Sequence, residues 1–259
     1  MKDLSDMIWI EMRKALRSRM PLFTTVGSLF MPLGIAFLIF AATNPEISRK
    51  LGLVSAKANL MGYATTSWPT YLALTAETIA AGGFLVFCLI IAWVFGREFA
   101  DGTLKDMLAV PVQRASILLA KFIVTGVWSA ALATEILFVG LLTGALIGLP
   151  QGSPGALLQG SALVAATACL VIVVVMPFAL FASVGQGYLL PIGVAILALI
   201  MANILGLAGW GEYFPWAVPG LYAQGKGYLA PISYPIAILT GLAGMIGTYL
   251  WWKYADQRR

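Results

Sequence analysis

Long uninterrupted runs of apolar residues dominate the chain, and short polar stretches separate them. Each run reaches or exceeds the length of about 20 helical residues that is needed to cross a hydrocarbon core about 30 Å thick. The runs do not alternate apolar and polar positions, so they predict helices rather than the strands of a barrel. The six predicted spans cover residues 22–42, 72–95, 122–149, 158–183, 188–207 and 234–252. We therefore expect an all-α integral membrane protein with a single transmembrane domain over residues 1–259.

Two segments outside these spans have their own patterns. Residues 1–20 place apolar side chains from Leu4 to Leu16 on one helical row, with basic residues such as Arg13 on the opposite face. This pattern is typical of an amphipathic helix that lies in the interface of an anionic leaflet. Residues 209–233 are aromatic and broken by proline and glycine. They predict short interfacial or re-entrant helices before the last span.

Composition supports the membrane assignment and excludes several kinds of chemistry. Hydrophobic residues make up 60% of the chain and charged residues 10%, whereas soluble domains have about 25% charged residues. The chain has no histidine, the commonest metal ligand and a frequent general base. Its two cysteines lie in separate apolar runs without metal-ligand spacing. We expect no catalytic residue, no metal site and no nucleic-acid partner.

The distribution of basic residues predicts the topology. Of the 16 Lys and Arg residues, 12 lie in the amino-terminal segment, the stretch between spans two and three, and the carboxy-terminal tail. An excess of Lys and Arg marks the cytoplasmic side of a membrane protein. Both termini and the central stretch are therefore predicted to be cytoplasmic, and residues 209–233 external. We expect a protein of the plasma membrane whose chain crosses the membrane several times.

The central stretch, residues 97–112, is predicted to form a short cytoplasmic helix that ends at Pro111. Gly102 inside such a helix costs about 1 kcal/mol relative to alanine, so the helix needs a partner or the membrane surface for stability. Packing on its own bundle and docking to a soluble protein are both consistent with the pattern. Its apolar face consists of two adjacent helical rows, one with Phe99, Thr103 and Met107 and the other with Leu104 and Leu108.

Two acidic residues lie within or near the predicted spans. At 1.5 Å per residue, Glu135 lies about 21 Å from Lys121, past the midplane of the membrane. An ionised side chain at that depth should face a cavity or a partner, so a substrate or gating role and a packing role both stay open. Glu77 lies about 30 Å from Arg97 by the same rise. It is either part of the substrate pathway or a solvated acid at the external headgroup level.

A row of small residues in span three predicts close helix packing. Gly140, Gly144 and Gly148 repeat at four-residue spacing, which lets another helix approach closely. That helix belongs either to this subunit or to a second one.

The central stretch carries a resemblance to a known family. It is similar to the signature that follows the second span of type-2 ATP-binding-cassette (ABC-2) transporter permeases, including those of antibiotic- and bacitracin-resistance exporters. The order of elements is also similar, as in type V exporters. The matching residues are Arg97-Glu98-Phe99, Gly102-Thr103-Leu104, Leu108, Pro111, Arg114 and Lys121.

In that family the segment is a coupling helix, which sits in a cleft of the ATPase. The resemblance implies that the contact is made by or near Arg97, Glu98, Phe99, Gly102, Thr103, Leu104, Met107, Leu108 and Pro111. It also implies two ABC ATPase subunits, which hold ATP and Mg²⁺, and a second permease half, either the same chain or a related one. The expected role is export of an amphiphilic drug, peptide antibiotic or lipid-like cargo.

This chain is expected to bind no cofactor itself, because it lacks the phosphate-binding sequence G-x-x-x-x-G-K-[ST]. Membrane lipids are its other expected partners. Two functions from different classes stay open. One is a membrane scaffold or channel that needs no nucleotide, and the other is an intramembrane enzyme, which would need a paired nucleophile and base.

Overall fold

The computed structural model describes residues 2–44, 66–104, 107, 112–225 and 227–254. All regular elements in these residues are helical. Six helical segments are long and apolar enough to cross a membrane, which confirms the predicted all-α, six-span membrane fold. They are Met20–Thr43, Trp68–Ala100, Arg114–Leu146, Pro154–Val184, Leu189–Leu207 and Ser233–Tyr254.

The first two helices are α1 (Lys2–Arg17) and α2 (Met20–Thr43). Helix α1 buries a row of Met7, Glu11 and Ala15 inside the protein. Leu16 is 69% exposed, so the predicted apolar row from Leu4 to Leu16 is not the most buried one. The buried row includes the acidic residue Glu11. Its burial is explained by its ion pairs with two lysines.

The second span consists of α3 (Trp68–Thr78), a π-helical turn (Ile79–Gly83) and α4 (Phe84–Ala100). It is longer than the predicted residues 72–95. Residues 97–100 belong to its last turn, so the structure does not begin a separate helix at residue 97. Gly102 ends the helix with φ of +71°, because glycine adopts this left-handed conformation without a steric penalty. The interpretation of Gly102 as an interior helix residue was therefore wrong.

The third span is α5 (Arg114–Leu146). It begins two turns before the predicted residue 122, because the helix continues through residues that were assigned to the polar stretch. It also ends before the predicted residue 149, since Gly148 adopts φ of +68° beyond the last turn. Gly148 therefore serves a turn and not a helix–helix contact.

The remaining chain forms three more spans and a short helical insertion. The fourth span is α6 (Pro154–Val175) followed by α7 (Phe178–Val184), and the fifth is α8 (Leu189–Leu207). The insertion contains a 3₁₀ turn, Gly211–Tyr213, and α9 (Val218–Gln224), and α10 (Ser233–Tyr254) is the last span. The fourth span breaks at Pro177, which lacks the amide hydrogen that an unbroken helix requires.

The bundle has two distinct ends. At the terminal end, α1 and the last span lie near the connection between α4 and α5. There Arg114 Nη1 donates to the Trp252 carbonyl at 2.7 Å, and the Phe99 ring lies 5.8 Å from the Trp252 ring. At the opposite, insertion end, the Ser233 hydroxyl donates to the Glu212 carbonyl at 3.0 Å. The insertion is thereby fixed to the start of α10.

Candidate functional site

A group of four charged residues, three of them buried and one half-buried, connects three helices at the terminal end. This ion cluster consists of Glu11, Lys14, Glu98 and Lys121. Lys121 Nζ donates to Glu98 Oε1 at 2.8 Å, to Glu11 Oε2 at 3.1 Å and to the Val94 carbonyl at 2.8 Å. Lys14 Nζ donates to Glu11 Oε1 at 2.8 Å and to Glu98 Oε1 at 3.3 Å. The cluster therefore joins α1, the last turn of α4 and the beginning of α5.

The charges of the ion cluster balance. Its two ammonium groups face two carboxylates, and the Lys121 side chain is 0% exposed. All three hydrogens of the Lys121 ammonium group have an acceptor, as burial requires. Burial lowers the pKa of Lys14, but the carboxylates of Glu11 and Glu98 raise it by more, so the pKa lies above its ordinary value of 10.5. Lys14 is therefore protonated at neutral pH.

The ion cluster was not predicted from the sequence as a unit. The family resemblance assigned Glu98 to the ATPase contact, and Lys121 counted as a residue that sets topology and as the last residue of the matching signature. One signal for the cluster was present in α1, where Glu11 lies at four-residue spacing between Met7 and Ala15. An acidic residue on a helical row that is otherwise apolar requires a buried partner.

A groove of about 370 Å³ lies beside the ion cluster. This terminal groove has apolar side chains on one part of its wall and charged side chains on another. Arg97 Nε pairs with Asp101 Oδ2 at 3.1 Å on its edge, and the Arg97 guanidinium lies 5.0 Å from the Trp93 ring. The groove is lined by Met7, Ile10, Lys14, Arg97, Glu98, Asp101, Thr103, Met107 and Ile117.

Two buried polar atoms at the terminal groove have no hydrogen-bond partner among the described residues. They are Arg97 Nη1 and Glu98 Oε2. A buried charged atom without a partner is costly. Both residues line the terminal groove.

The structure places the predicted coupling residues in different surroundings. Arg97, Glu98, Thr103 and Met107 line the terminal groove. Phe99 packs against Trp251 and Trp252, with ring centroids 6.0 and 5.8 Å away.

The other predicted coupling residues lie farther along the connection. Leu104 packs against the core, and Gly102 is exposed at the helix end. Leu108 and Pro111 lie outside the described residues. The groove thus contains some of the residues that the family resemblance indicated, together with residues of α1 and α5 that it did not.

Glu135 has a hydrogen-bond partner on another helix. The buried Ser28 hydroxyl of α2 lies 3.2 Å from Glu135 Oε2, where it can donate to the carboxylate. The same hydroxyl lies 2.9 Å from the Thr25 carbonyl, so its single hydrogen is divided between two acceptors. Glu135 therefore lies at the contact between the first and third spans. Its side chain remains partly exposed.

The glycine row of α5 has one close contact. A Cβ atom at Gly144 would lie 2.6 Å from the Trp68 ring, whereas one at Gly140 would lie 3.8 Å from the nearest atom, the Tyr71 hydroxyl. Both neighbours belong to α3 of the same chain. Gly144 is thus the position in this row where the absence of a side chain permits α3 and α5 to meet.

Glu77 lies in the last turn of α3, directly before the π-helical turn. It lines a cavity of about 220 Å³ at the insertion end. Glu77 and the predicted coupling residues that line the terminal groove therefore lie at opposite ends of the bundle, and Glu135 belongs to neither group. Among the described residues, no group of three or more His, Cys, Asp or Glu side chains is arranged to hold a metal ion.

Comparison with known proteins agrees with this architecture. The family described as ABC-2 family transporter protein matches residues 7–203, which is more than half of the chain. The chain is also 26% identical over 178 residues to the bacitracin transport permease protein BCRB of Bacillus licheniformis. That alignment covers 67% of this chain and 85% of the relative. This multi-pass membrane protein therefore belongs to the ABC-2 transporter family and is a permease similar to those of bacitracin resistance.

Proposed function

We propose that this permease drives export by transmitting the movement of a separate ATPase through the terminal groove. The observation that carries the proposal is the position of the groove directly beside the buried ion cluster. A protein that binds the groove contacts residues of α1, α4 and α5 at once. The excess of Lys and Arg at this end supports a cytoplasmic position for the groove and for both termini.

The lining of the terminal groove suits a protein partner. Ile10 is 39% exposed and Met107 is half-buried, and both offer apolar surface to an apolar side chain of the ATPase. Lys14 and Asp101 provide charges of both signs at the same groove. Arg97 Nη1 could donate to an acceptor of the ATPase, and Glu98 Oε2 could accept from a donor of the ATPase, since neither atom has a partner among the described residues. An apolar centre with polar groups around it is the usual composition of a protein interface.

The ion cluster gives Glu98 an indirect role in coupling. Because its carboxylate is 3% exposed and bonded to Lys121, Glu98 acts as a positioning residue for the groove. Removing one partner from a buried ion pair costs about 3–5 kcal/mol. The cluster therefore resists separation of α1, α4 and α5, and a displacement of one helix moves the other two.

The complete exporter would contain two ATPase subunits with ATP and Mg²⁺ and a second permease half. We propose an amphiphilic cargo, such as a peptide antibiotic, a drug or a lipid-like molecule. The bacitracin permease that resembles this chain supports this range. A scaffold or channel that works without nucleotide is the alternative.

Co-purification with the co-expressed ATPase tests the docking surface. We expect Ile10→Asp to reduce the amount of ATPase that co-purifies by about tenfold or more, because it places a charge on the apolar wall of the groove. Leu158→Asp is the matched control, since Leu158 is exposed at the insertion end and does not line the groove. Equal recovery of ATPase with both variants would refute docking in the groove.

A further inference from the structure

The cavity at the insertion end lies where span two, span five and the insertion meet. Glu77, Ala80 and Ala81 line it from span two, and Trp216 and Gly220 line it from the insertion. Its volume of about 220 Å³ is smaller than that of typical ligand pockets, about 300–1,000 Å³. The cavity therefore has room for a headgroup or a side chain, but not for a whole drug or peptide.

Small residues and a local irregularity in span two create this space. Ala80 and Ala81 lie in the π-helical turn, Ile79–Gly83. This turn follows the last α-helical turn of α3, which contains Glu77. Such turns within α-helices occur frequently at functional sites. On the other walls, a Cβ atom at Gly206 or Gly220 would meet no atom within 4 Å. Neither glycine is therefore needed for close packing inside this chain.

Hydrogen-bond acceptors predominate among the free polar groups of the cavity. The Glu77 carboxylate has no hydrogen bond or ion pair within the described part of the chain. Asn203 Nδ2 donates one hydrogen to the Leu199 carbonyl at 2.8 Å, which leaves its amide oxygen as an acceptor and its second amide hydrogen as a donor. Trp216 Nε1 donates to the Val174 carbonyl at 2.9 Å, so its ring, and not its donor, is available. Gln224 supplies both donors and acceptors.

We propose that this cavity binds the protonated primary amine of an amphiphile, with Glu77 as its counter-ion. A primary ammonium group donates three hydrogen bonds, which matches the carboxylate and the Asn203 oxygen. The Trp216 ring can attract the same charge through its π face. The hydrocarbon part of the ligand would extend into the membrane beside Leu207, which lines the cavity and is 92% exposed. As a statement about cargo, this inference rests on the proposed export function.

Equilibrium binding of radiolabelled dodecylamine to the intact chain tests the site. The chain is reconstituted in phosphatidylcholine nanodiscs, and binding to empty nanodiscs is subtracted. We expect saturable binding that dodecanol, which has the same chain length but no charge, does not displace. Glu77→Gln should weaken binding by about tenfold or more, because hydrogen bonds to charged groups contribute about 1.5–3 kcal/mol.

Two further variants separate the cavity from general effects. Gly220→Leu fills the cavity and should also abolish saturable binding. Glu212→Gln removes an exposed acid from the same insertion without changing the cavity lining, and should bind like the wild type. Displacement by dodecanol, or wild-type binding by both Glu77→Gln and Gly220→Leu, would overturn the proposal. The dodecanol competition uses the wild-type chain and so does not depend on the folding of a variant.

The ammonium group can come from an exported amphiphile or from a lipid headgroup. Nanodiscs in which phosphatidylethanolamine replaces part of the phosphatidylcholine distinguish these sources. Loss of dodecylamine binding in these nanodiscs identifies the lipid as the occupant, and retained binding identifies an exported amphiphile. The assay contains no ATPase. If the amine does not bind but the ATPase co-purifies as expected for docking in the groove, this site alone is refuted. If the amine binds but Ile10→Asp does not reduce ATPase recovery, the coupling proposal alone is refuted.

Discussion

Lys121 shows how much the surroundings of a single residue determine its role. A lysine at the end of a transmembrane helix usually indicates topology, and its identity alone does not reveal a buried position. Here its ammonium group is completely buried between Glu11 and Glu98. These partners come from helices that are far apart in the sequence. Their meeting therefore could not be derived from residue spacing.

The first prediction concerns Lys121→Met, which keeps most of the side-chain volume but removes the charge. Two buried carboxylates would then share only Lys14. We expect the free energy of unfolding to fall by about 3–5 kcal/mol, as measured by titration with sodium dodecyl sulfate. Lys253→Met removes an exposed lysine at the same end of the bundle and serves as the control. If both variants unfold alike, the ion cluster does not hold the helices together.

The second prediction concerns Glu135→Gln, which keeps an oxygen for the Ser28 hydroxyl but removes the titratable group. We expect unchanged unfolding, together with an altered pH dependence of ATP-driven transport in vesicles that also contain the ATPase. Thr134→Ser, at an exposed neighbouring position, is the control. Wild-type transport by Glu135→Gln at every pH would assign Glu135 to packing alone.

At the scale of elements, the number of spans could be predicted because their apolar runs match the thickness of the membrane. Their ends could not be predicted as well. The second span continues through Glu98, whose charge is neutralised by Lys121. It ends only where Gly102 adopts a positive φ. In the third span, similarly, the apolar run stops at residue 149 while the helix ends before Gly148. Hydrophobicity marks the membrane-embedded length, but backbone conformation and tertiary contacts mark the helix end.

The third prediction compares two glycines of α5. Gly144→Ala would place a Cβ atom 2.6 Å from the Trp68 ring, and we expect overpacking to cost about 1–3 kcal/mol. Gly126→Ala meets no atom within 4 Å and should stabilise the helix by up to about 1 kcal/mol. Unfolding of the two variants under identical conditions provides the measurement. Stabilisation by Gly144→Ala would show that α3 and α5 do not pack as described.

At the scale of the whole molecule, the two ends of the bundle present different chemistry. The terminal end has a groove of mixed polarity beside a buried ion cluster, and the insertion end has a small cavity with the Glu77 carboxylate. The family resemblance indicated the terminal end from the residues around Arg97. It did not reveal the contribution of α1, because the match was confined to the segment after the second span. A sequence motif identifies a local segment, whereas the groove is formed by three helices.

Site-specific photo-crosslinking in the assembled exporter can show whether the ATPase lies in the terminal groove. A photoreactive amino acid replaces Ile10 in the terminal groove or, as the control, Leu158 at the insertion end. Illumination of native membranes should join the chain to the ATPase subunit from position 10 and not from position 158. If position 10 gives no ATPase adduct in membranes where the ATPase still co-purifies with the permease, coupling through the terminal groove is contradicted.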